Sequence, residues 1–431
     1  MRGPTKTFPL DLVAVTAVIS TVAVIYGSTR AFYFEGGFLQ SFSFVSDERV
    51  FNEIVNGWIG RDPASTLFGI HAFGDYLMPN VWSSFGDSWT EVGGVNYLPP
   101  VLLLFRLLGF LPYAAGLALY MAAMAVATIA PMIWASRGSS LAIRTILVVS
   151  LALFTGPTIA AFDRGNIQGF MPLLFFAFAL MILKSKWKWA ALILTVMVLI
   201  KIYPVILVVV FVALRKYLWA VVVLAGTAVA TAAVLPVMST SGFRSLGAVI
   251  EGVLQFQDKA LSDFLIYNNS FVGGLANGAM FLGQDGVGAW IASNAIVVTG
   301  LYALGVLPMM WLSRIPLWMR LCVGFSLTTS LMPLVYPYAL NWIVAASALA
   351  IWAAMNSTSD ESIGVWSQRM LVMALALGSA VLPIFIPGSM EAGRPAGVAS
   401  LAAVAIAVAF PLAAWLSRSK DIRVNPTSVA K

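Results

Sequence analysis

Ten runs of apolar residues, each long enough to cross a hydrocarbon layer as a helix, dominate this sequence and restrict it to folds in which lipid is the solvent. They fall at roughly 9–28, 112–135, 141–161, 167–183, 217–238, 289–311, 317–336, 339–355, 367–387 and 397–416. The first reads as a retained anchor, being too long and too poor in cleavage signals for a signal peptide. Composition agrees. Of 431 residues, 60% are hydrophobic and 10% charged, against about 25% charged in a soluble domain. A single Cys excludes an intrachain disulfide framework and a thiolate zinc cluster. A single His, His71, argues against a histidine metal site or a Ser/His triad. Chemistry must rest on carboxylates, amides, aromatics and a few cations.

Residues 189–214 resist the simple scheme, because Lys201 interrupts them and Ile202, Tyr203 and Pro204 follow. One straight helix would bury the ammonium in lipid and kink at the proline. A hairpin of two half-length helices avoids both and returns the chain to the side it left, with its tip near mid-membrane. Broken helices at that depth are tolerated where protein or a wet cavity surrounds them. The expected fold is therefore an all-α polytopic membrane protein of about twelve membrane segments, a single integral membrane domain over 1–431 with both termini on one face.

Charge sorted on that scheme is asymmetric. Sixteen of the 25 Lys and Arg fall on the terminal side, among them Arg137, Lys184, Arg215 and Lys216, against four acids. The positive-inside rule makes that side cytoplasmic and puts the protein in a cell membrane as a multi-pass chain. The net charge of +7 is thus an orientation signal that calls for no nucleic-acid partner. Two outer regions are long, 29–96 and 239–288, while 418–431 reads as a cytoplasmic tail; long loops on a compact bundle usually carry function.

The first outer loop is the more informative. Val50, Phe51, Ile54, Val55, Trp58 and Ile59 share one helical face, Ser46 suits an N-cap, and Gly60 before Asp62-Pro63 supplies a stop. An amphipathic helix lying on the outer surface is expected there. Asp47 and Glu48 in its first turn are either acids favoured by the helix dipole or a functional carboxylate pair near the headgroup plane. Asp75 is a rival, read either as a turn former or as an active acid, and Asp87 follows in a Gly-Asp-Ser turn. Tyr76, Trp82, Trp89 and Tyr97 suit sugar stacking or an interfacial aromatic belt.

Several short elements occur in a fixed order. They are Asp47 with Phe51 four residues on, Gly60-Arg61-Asp62-Pro63, Tyr97-Leu98-Pro99-Pro100, Arg164-Gly165-Asn166-Ile167-Gln168, Lys201-Ile202-Tyr203-Pro204, and Asn268-Asn269-Ser270-Phe271-Val272-Gly273. In that order the chain resembles the type-C superfamily of membrane glycosyltransferases, and within it the polyprenyl-phosphate-mannose-dependent α-mannosyltransferases of the phosphatidylinositol-mannoside type. The resemblance covers residues 40–275; a Leu replaces the first Pro of a Tyr-Pro-Pro, and the amide order at Asn166 and Gln168 is altered. Tyr338 and Asn341 stand where a different polar residue is usual.

That resemblance implies transfer of a single sugar, mannose first, from a polyprenyl-phosphate donor to a glycolipid or envelope glycan on the outer face. It implies a base, Asp47, oriented by Glu48; a phosphate-binding pair, Lys201 and Arg164; and sugar or acceptor contacts from Asp75, Tyr97, Asn166, Gln168, Asn268 and Asn269. Lys201 and Arg164 have a structural alternative, pairing with an acid such as Asp163 or with a headgroup, and the asparagines could be helix caps. No metal ligand set is assigned and no cofactor is required, though a divalent ion on Asp47 and Glu48 is compatible. Membrane lipids, the lipid-linked sugar and the acceptor are the expected partners. Three alternatives stay open: an arabinofuranosyltransferase of the same superfamily, a sugar or lipid transporter or flippase, and a polymer ligase.

Overall fold

The computed structural model describes residues 74–84, 86–91, 95, 97–258, 268–356, 369–374 and 396–417. The span expected at 9–28, the surface helix after Ser46, most of 367–387 and the tail from 418 lie outside them. Every regular element among the described residues is helical, apart from one isolated antiparallel bridge between Asp87 and Ser239.

The described residues begin with α1 (Gly74–Trp82), followed by α2 (Pro99–Leu108). Pro99 and Pro100 occupy the first positions of α2, where a missing N–H costs nothing. The bundle continues with α3 (Tyr113–Ala135), α4 (Leu141–Leu147), α5 (Gly156–Arg164), α6 (Met171–Leu183), α7 (Trp187–Ile200), α8 (Val208–Ala213) and α9 (Tyr217–Met238). The second half holds α10 (Leu246–Asp258), α11 (Phe271–Phe281), α12 (Asp285–Ser293), α13 (Ala295–Val306), α14 (Leu317–Ser330), α15 (Trp342–Asn356) and α16 (Ala396–Ser417).

Among the described residues three helices, at 115–135, 217–238 and 338–356, are long and apolar enough to cross a membrane. Two bent pairs raise that to five: 141–153 with 156–162, at 67°, and 285–293 with 295–311, at 78°. Both runs read as straight spans from hydropathy, and local chemistry bends them. Thr155 caps α5 by accepting from the Thr158 N–H, and Pro157 cannot donate back into the preceding turn. Asn294 donates its side-chain amide to the Trp290 carbonyl and closes α12 (2.8 Å). The region 239–288 contains α10, α11 and the start of α12, so much of it is helical.

α15 is the axis of the bundle: 89% of its apolar window is buried inside the protein, against 22% for α9. Phe175 meets Phe325, Phe178 meets Phe211, and Trp342 meets Phe410 in the surrounding core. Val221, Val229 and Val237 on α9 face outward, as a helix bounded by lipid allows.

α7 runs out and the chain after it comes back. Lys216 Nζ lies 5.1 Å from the centre of the Trp187 ring, so the two ends of the segment meet. Beside them, Arg137 and Lys184 converge on Trp134, at 4.8 and 5.8 Å from its ring. These cations form an aromatic-backed basic collar at one end of the bundle. The other end lies about 20 Å away, the length of the 13 residues of α6 at 1.5 Å each.

Candidate functional site

At that other end α7 stops at Ile200, and Lys201 takes up an extended conformation before the tight turn Tyr203–Leu207. Pro204 enforces the break, since it supplies no N–H to continue the helix. The half-buried Lys201 side chain places Nζ 3.9 Å from the centre of the Tyr97 ring, a cation–π contact. Tyr97 is itself fixed, its carbonyl accepting the Trp89 indole N–H (3.2 Å). The carboxylate that acts electrostatically on Lys201 is Asp75, in the first turn of α1.

Asp75 is held from a third direction. α5 ends at Gly165, whose φ of +60° is the left-handed conformation glycine adopts without strain, and the Asn166 N–H returns to the Ala161 carbonyl (2.8 Å). This leaves the buried Asn166 side chain at the head of the next turn, where Oδ1 accepts the Gln168 N–H (2.9 Å). Its Nδ2 donates to Asp75 Oδ2 (2.7 Å). Gln168 Oε1 in turn accepts the Tyr203 hydroxyl (3.3 Å). Hydrogen bonds link Asp75, Asn166, Gln168 and Tyr203, and the Asp75 charge acting on Lys201, two residues before Tyr203, closes the set into a ring. It ties together α1, the α5–α6 junction and the tip of the hairpin.

An aromatic wall backs this ring. Tyr76, Phe105, Tyr120 and Phe170 pack in series, with centroid separations of 5.0–5.8 Å along Tyr76–Tyr120, Phe105–Tyr120 and Tyr120–Phe170. The Tyr120 hydroxyl is buried there without a hydrogen-bond partner among the described residues. Tyr76 and Trp89, candidates for a sugar platform or an interfacial belt, are buried in this cluster instead.

The Asn268 side chain serves the backbone. Its Nδ2 donates to the Pro333 carbonyl (2.6 Å), and its Oδ1 accepts from the Ser270 and Val335 N–H groups (2.9 and 3.1 Å). The Asn269 N–H donates to the Val335 carbonyl. Both side chains are buried. A Cβ on Gly273 would stand 2.3 Å from Asn268 Cγ, so only glycine admits this clamp.

Asp47 and Glu48 lie outside the described residues, as do the side chains of Arg164 and Asp163. Among the described residues no three His, Cys, Asp or Glu side chains gather as a metal site. Two features escaped sequence reading. Tyr203 sits inside the Lys-x-x-Pro element, but only its partner 35 residues away reveals its role. Asp87, read as a turn residue, is buried and accepts from the Ser239 and Ser245 hydroxyls, latching the segment after α1 to the end of α9.

The family model of glycosyltransferase family 87 matches residues 96–337, more than half of the chain, and so takes in Tyr97, Asn166, Gln168, Lys201 and the Asn268 clamp. No curated protein and no solved structure matches.

Proposed function

The chain belongs to glycosyltransferase family 87, and from that we propose that this membrane glycosyltransferase moves a single sugar, mannose, from a polyprenyl-phosphate donor to a glycolipid or envelope glycan acceptor on the outer face. The observation that carries the reading is the Lys201 ring: an ammonium on an aromatic face and in the field of a carboxylate, at the end of the bundle opposite the basic collar. The collar supports a cytoplasmic assignment for its own end, because Lys and Arg concentrate in cytoplasmic loops. The ring end would then face outward, and the twelve-segment topology with both termini inside is part of the same proposal.

In the proposed reaction the acceptor hydroxyl attacks the anomeric carbon while the bond from that carbon to the phosphate oxygen breaks. Asp47 takes the hydroxyl proton, oriented by Glu48, and the electron pair leaves on polyprenyl phosphate. A phosphate is a stable leaving group, so what the protein must supply is positive charge where the negative charge collects. Lys201 meets that need. An ammonium in hydrocarbon costs at least about 2.5 kcal/mol, and the Asp75 charge with the Tyr97 ring offsets that cost while no substrate is bound. Gln168 and Asn166 fix the backbone around the tip, and Arg164 at the end of α5 adds a second cation.

The test is a transfer assay on purified protein with a panel of polyprenyl-phosphate sugars, reading the lipid product by mass spectrometry. Transfer from the mannosyl donor supports the reading, and transfer from an arabinofuranosyl donor alone moves the assignment to that sugar. Movement of a lipid-linked sugar across proteoliposomes without any glycosylated product would overturn it in favour of a transporter.

A further inference from the structure

We propose that Asp75 is a positioning residue: its carboxylate, fixed by Asn166, holds the Lys201 ammonium against Tyr97 in the orientation that receives the donor phosphate, and takes no proton from the acceptor. The inference rests on the reading of Lys201 as the donor-phosphate residue and deepens it.

Three observations carry it. Oδ2 of Asp75 is already committed to Asn166 Nδ2 at 2.7 Å, and that amide cannot turn away because its own Oδ1 caps Gln168. One carboxylate oxygen is therefore committed to the protein, and that bond fixes the orientation of the group. Second, the Lys201 ammonium rests on the Tyr97 ring at 3.9 Å within the field of the Asp75 charge. An ammonium carries three N–H donors, more than one carboxylate and one ring face employ, so the confined group still has a donor for an incoming anion. Third, the tip that bears Lys201 is anchored independently through Tyr203 to Gln168, so the ring fixes backbone and side chain together. A cation that must meet a phosphate at a set depth needs all of it.

The consequence is coupling. Asp75 acts through Lys201, so its removal matters only while Lys201 is present. The experiment measures binding of polyprenyl phosphate to purified full-length protein in detergent for Lys201→Met, Asp75→Asn and the double variant, with mannosyl transfer read alongside. Each single variant is expected to weaken binding at least tenfold, and the double variant to bind no worse than Lys201→Met. Asp75→Glu keeps the charge and is expected to recover part of the affinity, which a misfolded protein would not. Asn166→Ser keeps an N-cap oxygen for Gln168 but removes the donor to Asp75, and is expected to weaken binding in the same direction. Wild-type binding by Asp75→Asn with transfer abolished would overturn the inference while leaving the Lys201 reading intact, because that is how a base behaves. Additive losses in the double variant would overturn it equally. Wild-type binding by Lys201→Met would overturn the Lys201 reading and the inference with it.

Discussion

Replacing Asn268 with Ala separates a clamp from a ligand contact. In the structure the side chain is fully buried and makes three hydrogen bonds to backbone, at 2.6 Å to the Pro333 carbonyl, 2.9 Å from the Ser270 N–H and 3.1 Å from the Val335 N–H. Alanine removes all three and leaves a carbonyl and two N–H groups in a buried region. A lost hydrogen bond costs about 1 kcal/mol net, and an orphaned buried partner about 1–3 kcal/mol. Taking roughly 1–1.5 kcal/mol for each of the three, the variant is destabilised by about 3–5 kcal/mol. At about 2 °C per kcal/mol for a large domain, the thermal midpoint falls by roughly 6–10 °C. The assay is thermal unfolding of purified protein in detergent, followed by intrinsic tryptophan fluorescence. An unshifted midpoint combined with lost sugar transfer would rule out the clamp, because the amide would then serve a ligand and not the segment at Pro333–Val335.

Gly273→Ala attacks the same clamp from the other side: its Cβ would lie 2.3 Å from Asn268 Cγ, so the midpoint falls in the same assay by about 1–3 kcal/mol equivalent, and an unchanged value contradicts the packing. Tyr120→Phe removes a buried hydroxyl that has no partner among the described residues and is expected to raise the midpoint, by about 1 kcal/mol; a lower midpoint would mean the hydroxyl is satisfied. Asp87→Ala releases the Ser239 and Ser245 hydroxyls, costs about 2–3 kcal/mol, and speeds proteolytic cleavage between residues 74 and 97; unchanged cleavage with unchanged stability would show that the latch holds nothing.

What the sequence discloses depends on the distance over which the cause acts. The break at Lys201 is legible because a cation and a proline within four residues oppose a continuous helix locally, and the return of Lys216 to Trp187 follows from it. The bends at Thr155 and Asn294 are missed, because hydropathy averages over a window while a single capping side chain acts on one carbonyl or N–H. The residue types at the site are legible too: Lys201 interrupts an apolar run, Asn166 and Gln168 flank the start of another, and Asp75 and Tyr97 stand out in or beside the long region 29–96. Their arrangement is not. Asn166 reaches Asp75 across 91 residues, and nothing local distinguishes that pairing from one with Asp163. Asn268 illustrates the converse, since an Asn-x-Ser segment suits a ligand contact and a cap equally, and only the approach of Pro333 and Val335 decides what its amide does here.

In the proposed reaction the lipid phosphate of the donor meets the Lys201 ring, at the end of the bundle opposite the basic collar. A polyprenyl phosphate carrying a photoreactive group next to the phosphate, cross-linked to the purified protein and mapped by peptide mass spectrometry, tests that directly. Labelling is expected in the peptides holding Tyr97, Asn166 to Phe170 and Lys201 to Tyr203, with loss of that labelling in Lys201→Met. Labelling confined to the collar peptides around Trp134, Lys184 and Lys216 would contradict it.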